Sequence, residues 1–94
     1  MKIPKKFKLF NHEIIVKMSK ELHKNDDLWG TVRYRIKEII IDENISQSYK
    51  EQTFLHELIH LIFTFMCEKE LSGNEKLVNT ISELLYQALE TMEY

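Results

Sequence analysis

A single cysteine, Cys67, among 94 residues excludes an internal disulfide and fits a reducing compartment. An excess of one charge is missing too. Thirteen basic residues stand against 15 acidic ones, and no basic block is dense enough to track a phosphate backbone, so no nucleic-acid partner is expected. Long apolar runs are also lacking. The longest, residues 58–66, contains His60 and is too short to span a bilayer, so no membrane association is expected. Lys2, Lys5, Lys6 and Lys8 crowd the start, but further charges break up the residues after them and no signal-peptide core forms. There are no repeats, low-complexity tracts or linker. These exclusions point to one cytoplasmic domain over 1–94, large enough to bury roughly two-thirds of its unfolded surface without covalent staples.

The residues that are present divide into two halves. Residues 6–10 and 13–18 read as strands flanking a hairpin turn at Asn11 and His12. Residues 18–28 are polar and poorly patterned, a loop with room for a short helix. Trp29 and Gly30 punctuate the chain. Residues 31–35 alternate as an edge strand does, and Ile39, Ile40 and Ile41 form a β-branched run suited to a strand buried on both faces. The second half is helical. Ser46 or Ser48 can cap a first helix running to about residue 68, and Ser48 with Glu51 fits a capping box. That helix is apolar almost all round, which places it in the core. A second helix over residues 75–90 carries one apolar stripe: Leu77, Val78, Ile81, Leu84, Leu85, Ala88 and Leu89. Strands followed by helices predict the α+β class, a small, mostly antiparallel sheet packed on two C-terminal helices.

Within the first helix stands His56-Glu57-Leu58-Ile59-His60. Residues four apart on a helix lie about 40° from each other and one turn along the axis, so two imidazoles can converge on one zinc. Glu57 lies about 100° further round. There it reaches a zinc-activated water from the side, as a general base does. A shuffled chain of this composition holds the pattern roughly one time in fifty. The alternative, that both rings merely pack and Glu57 is solvated, leaves three ionisable groups on a core helix with nothing to engage them.

Zinc needs a third protein ligand. Cys67 lies about 10.5 Å along the axis from His60 and reads as a buried thiol; Glu68 and Glu70 share its difficulty. On the second helix Glu75, Asn79, Ser82 and Tyr86 form a polar stripe bordering the apolar face, and Glu75 is the candidate ligand. The competing role for Glu75 is a capping box with Ser72, and for Asn79 simple solvation. His12 reads as a turn residue, His23 as a loop residue, and Trp29 as core rather than pocket. Tyr34 and Tyr86 can reach the cleft, but packing is the commoner use of such rings.

At these residues the chain resembles a minimal gluzincin, similar to small phage and bacterial metallopeptidases. The thermolysin-type pattern Asn-Glu-x-x-x-Asp is matched by Asn74-Glu75-Lys76-Leu77-Val78-Asn79, with Asn in place of the final Asp. The likeness takes in Ile3-Pro4-Lys5-Lys6, Leu28-Trp29-Gly30, residues 39–42, Thr53-Phe54-Leu55 and residues 84–89, although only the zinc motif is strongly specific. The resemblance implies a twisted, zincin-like sheet over the active-site helix, and a peptide or protein substrate extended along an edge strand, for which 31–35 is the candidate. It implies zinc on His56, His60 and Glu75, with Asn79 as a hydrogen-bond partner behind a ligand. A neutral Asn there raises histidine basicity less than a carboxylate does. The larger relatives' C-terminal subdomain has no counterpart in these residues, so activity is expected to be weak, narrow or partner-dependent. Two other readings remain open: a non-catalytic zinc-stabilised interaction module, and a regulatory protease specific for one partner protein.

Overall fold

The first two strands pair antiparallel, β1 (Lys6–Leu9) with β2 (His12–Ser19), in the computed structural model, which describes residues 1–22 and 29–94. Leu9 lies opposite His12, so the two-residue turn is Phe10 and Asn11, both with positive φ (47° and 63°). Such a turn matches the twist of the flanking strands. It falls one residue earlier than the sequence suggests because register follows burial. Ile14 is fully buried and Phe7 and Leu9 pack against the core, and a one-residue slip would turn them outward. Phe10 therefore sits in a conformation unusual for a bulky residue, its ring exposed.

β3 (Gly30–Arg33) and β4 (Glu38–Asp42) form the second hairpin, and the sheet order is β1-β2-β4-β3. β3 is an edge strand and β4 lies inside, as their patterns suggest. β3 ends at Arg33; Tyr34 and Arg35 belong to the turn, which Lys37 closes at φ 56°. The central pairing of β2 with β4 is parallel, so the sheet is mixed, with two of its three pairings antiparallel. Ile39 and Ile41 face the core fully buried, and Ile40, on the opposite face, is buried as well. Each such side chain contributes about 1.5–3 kcal/mol.

The C-terminal half forms α1 (Gln47–Phe65), a one-turn α2 (Lys69–Ser72) and α3 (Glu75–Thr91). Ser46 caps α1, its Oγ accepting the Tyr49 N–H at 3.2 Å. The capping box of Ser48 with Glu51 does not form. Glu51 is buried and instead accepts from Gln47 Nε2 at 3.1 Å and the Tyr86 hydroxyl at 3.2 Å. α1 stops at Phe65, three residues short of the expected end. Cys67 turns left-handed at φ 62°, its N–H bonding Thr64 O while the Glu68 N–H bonds Phe63 O. That is a Schellman stop with cysteine where glycine is usual. It leaves Cys67 exposed rather than buried. Phe54, Leu55 and Leu61 of α1 pack on Ile14, Ile39 and Ile41 of the sheet, and Val78, Leu85 and Leu89 of α3 turn inward. Leu84 and Ala88 stay outside while Ser82 is buried, so the inward face of α3 is rotated from the apolar stripe. Among the described residues no helix is long and apolar enough to cross a membrane.

One contact governs how the edge strand meets α1. A Cβ built on Gly30 would stand 2.3 Å from Thr53 Cγ2, 3.2 Å from Ile40 O and 3.5 Å from Glu57 Cγ. β3 therefore lies against the helix at a distance only glycine permits. Gly30→Ala should lower stability by about 1–3 kcal/mol, the usual cost of overpacking. Thr53→Ser, which deletes the clashing methyl, should return part of that loss in the double variant. Thermal midpoints of the four proteins in the cycle check it; an additive double variant would show that the contact does not bind the two positions together.

Candidate metal centre

Helical spacing and the short α2 connection bring three donors to one point. His56 and His60, one turn apart on the inward side of α1, set their Nε2 atoms 3.2 Å from each other. Glu75, the first residue of α3, reaches back across both: Oε2 lies 3.3 Å from His56 Nε2 and Oε1 lies 3.1 Å from His60 Nε2. Ligands at 2.0–2.2 Å on tetrahedral corners stand about 3.3 Å apart, so this trio has the spacing of three corners around one ion. The chemistry of the set, two imidazoles and a carboxylate, fits a divalent metal, and the three residues together could hold one.

The environment of His60 prepares it for that use. Its Nδ1 lies 3.3 Å from Ser72 Oγ, whose own hydroxyl is directed at His60 O, also at 3.3 Å. Were the serine proton given to the carbonyl, Ser72 would accept from Nδ1–H and leave the Nε2 lone pair to an ion held among the three donors. Ser72 is thus taken up by His60 and does not cap α3. Asn74 does, its Oδ1 accepting the Leu77 N–H at 3.1 Å. This frees the Glu75 carboxylate from the competing capping role. It also places negative charge in the first turn of α3, where the helix dipole favours it. Asn79, one turn further along, lines the same cleft as His56, and its amide favours the charged ring. Burial and the neighbouring His60 hold His56 below its ordinary pKa, against the pull of Glu75 and Asn79, which favours the neutral ring a metal requires.

Glu57 stays apart from the trio but lines the same cleft, a space of about 750 Å³ between β3, α1 and the start of α3. It is buried, and burial first, then the Glu75 charge, push its pKa up to about 7. A cation among the three donors would offset the Glu75 charge and return Glu57 toward its anionic form. Gly30, Thr31 and Val32 of β3 form one wall, with Tyr34. Trp29 lies in that wall too, half exposed rather than in the core. Asn79 and Ser82 line the opposite side, whereas Tyr86 of the same stripe turns away to Glu51. His12 opens β2, exposed, with its ring 5.6 Å from that of Phe65. His23 and most of the 18–28 loop lie outside the described residues. Sequence reasoning missed Ser72 and Gly30. No spacing rule flags either, because each acts through a contact made by a turn or a neighbouring strand.

The raised Glu57 pKa carries a sign. Between its ordinary value of 4.5 and about 7, the folded protein holds a proton that the unfolded chain has released. Stability of the metal-free protein therefore falls as pH rises through that window, by roughly 3 kcal/mol at most. Glu57→Gln, neutral at every pH, removes the effect, while the opposing contribution of His56 is common to both proteins. The midpoint of the metal-free variant minus that of the parent should grow from pH 5 to pH 8. A flat difference would mean Glu57 is solvated.

No protein-family model, no curated protein and no solved structure matches this chain, so the reading of the centre rests on its own geometry.

Proposed function

We propose that this protein is a zinc-dependent peptidase of gluzincin type, with zinc on His56, His60 and Glu75 and with Glu57 as general base. The observation that carries the reading is the division of labour on α1: two histidines and a carboxylate from α3 at ligand spacing, with a second, buried carboxylate beside them and outside the trio. A site that only stabilised a fold would have no use for Glu57 and would close its fourth corner; here the three donors line an open cleft.

Zinc in such a set polarises the substrate carbonyl and lowers the pKa of water. The remaining work falls to the chain. An extended peptide adds to the free edge of β3, where Gly30 to Val32 offer main-chain groups toward the cleft. Glu57 takes a proton from the water as its oxygen attacks the carbonyl carbon. It then delivers that proton to the amide nitrogen as the C–N bond breaks, so base and acid are the same carboxyl group. Ser72 holds the His60 imidazole in place. The exposed thiol of Cys67 supports a reducing, cytoplasmic setting.

Two outcomes test the ligands and the base separately. Glu75→Ala and His60→Ala each delete a ligand. Both should lose zinc on elemental analysis, and with it cleavage of a mixed peptide library and the zinc-linked part of the thermal midpoint. Tight, unchanged binding in Glu75→Ala would remove that residue from the ion.

Glu57→Gln should keep zinc and a near-parental midpoint with metal bound, while cleavage falls 10²–10⁴-fold, the usual loss when general-base help is withdrawn. Parental rates in this variant would sink the catalytic assignment. A parent that holds zinc firmly yet cleaves nothing in the library would point instead to the non-catalytic module or the partner-specific protease.

A further inference from the structure

The cleft has an end that the hydrolytic chemistry does not use. Trp29, just before β3, and Tyr49, in the first turn of α1, stack with ring centroids 4.8 Å apart and planes inclined by 36°. Both rings line the cleft, and they are 50% and 47% exposed. An aromatic pair left open on a cleft wall is a surface for a ligand rather than part of the core.

Its distance from the metal centre is set by α1. Tyr49 precedes His56 by seven residues, which puts both on one face about 10.5 Å apart along the axis. An extended chain advances about 3.3 Å per residue, so the platform meets a side chain about three residues from the bond at the centre.

Charge selects among the side chains that could lie there. Among the described residues, the acidic side chains lining the cleft are Glu57, Glu75 and Glu83, and no Lys or Arg lines it. A divalent ion offsets two of these charges and leaves Glu83 over. An aromatic face in acidic surroundings attracts a cation through the ring quadrupole and the local field together, and it repels Asp and Glu.

We propose that the Trp29–Tyr49 platform is a subsite for a lysine or arginine side chain of an extended peptide, about three residues from the bond that Glu57 hydrolyses. The occupant's identity as a substrate residue rests on the peptidase reading; the preference for a cation rests on the platform and the charge of the cleft.

Trp29 is the sole tryptophan, so its fluorescence reports directly on the platform. The zinc-loaded protein is titrated with blocked heptapeptides, three alanines on each side of one central residue: Lys, Arg, norleucine, Phe or Glu. Mass spectrometry confirms that the peptides are intact at the end of each titration. The Lys and Arg peptides should perturb Trp29 and bind roughly 3- to 30-fold more tightly than norleucine, with Glu weakest. Tyr49→Ala should erase the preference for Lys and Arg over norleucine while zinc content holds, and Tyr49→Phe, which keeps the ring, should retain it. Added salt should narrow the gap between Lys and norleucine. Tighter binding of Phe or norleucine than of Lys would overturn the cationic occupant. Binding without any change at Trp29 would overturn the platform itself. These affinities are read on intact peptides, whereas the peptidase reading is tested by cleavage of the mixed library, so the two claims fail separately.

Discussion

Imidazole and carboxylate groups on a helix that must also supply the core need partners, because buried polar groups without them cost several kcal/mol each. α1 carries both duties. Phe54, Leu55 and Leu61 pack beneath the sheet while His56, Glu57 and His60 occupy the neighbouring face. The surroundings of α1 can be understood as answers to that conflict. Ser72 takes up one side of His60, and Glu75 spans the two rings. Each of these comes from the segment C-terminal to α1. The Schellman stop at Cys67, the single turn of α2 and the Asn74 cap set where that segment begins its return. Glu57 is the exception. Among the described residues it receives no comparable partner, and burial with the Glu75 charge raises its pKa.

How much of this was legible in the sequence depended on whether a feature is local. The four-residue spacing of His56 and His60 is fixed by helix geometry alone, and the phase of Glu75 and Asn79 along α3 follows from the same 3.6-residue repeat. The interior place of β4 was legible as well, because three consecutive β-branched residues can only be satisfied with cover on both faces. The parallel pairing of β2 with β4 was not. It depends on the path taken between β2 and β3, which carries no periodic signal. The end of α1 was misplaced because the pattern of apolar residues runs on past Phe65, while a left-handed turn at a cysteine is not something propensity foresees. Trp29 illustrates a further limit. Hydrophobicity predicts that a ring will find contact, and Tyr49 provides it, but whether the pair is then covered depends on the shape of the cleft.

The edge strand and the helix meet with little to spare. Gly30 puts the β3 backbone against Thr53 and beside the methylene groups of Glu57, so the wall along which a substrate would lie and the candidate base share one contact. Wall and carboxylate are in this way held in fixed relation by steric exclusion, without a hydrogen bond between them.

The position of Glu75 has an effect on the folding of the chain that is separate from chemistry. It is the opening residue of α3, while the two histidines belong to α1, so an ion shared by the three acts as a reversible cross-link. Beyond the end of α1, the segment it ties off holds little apolar burial: α2 has no buried residue, and the turn about it is exposed at Gly73 and Asn74. An ion that binds only the folded arrangement would stabilise it by mass action, with a strength set by metal concentration and pH. Docking of the C-terminal helix, already held by Val78, Leu85 and Leu89, would then gain a contribution that follows metal supply.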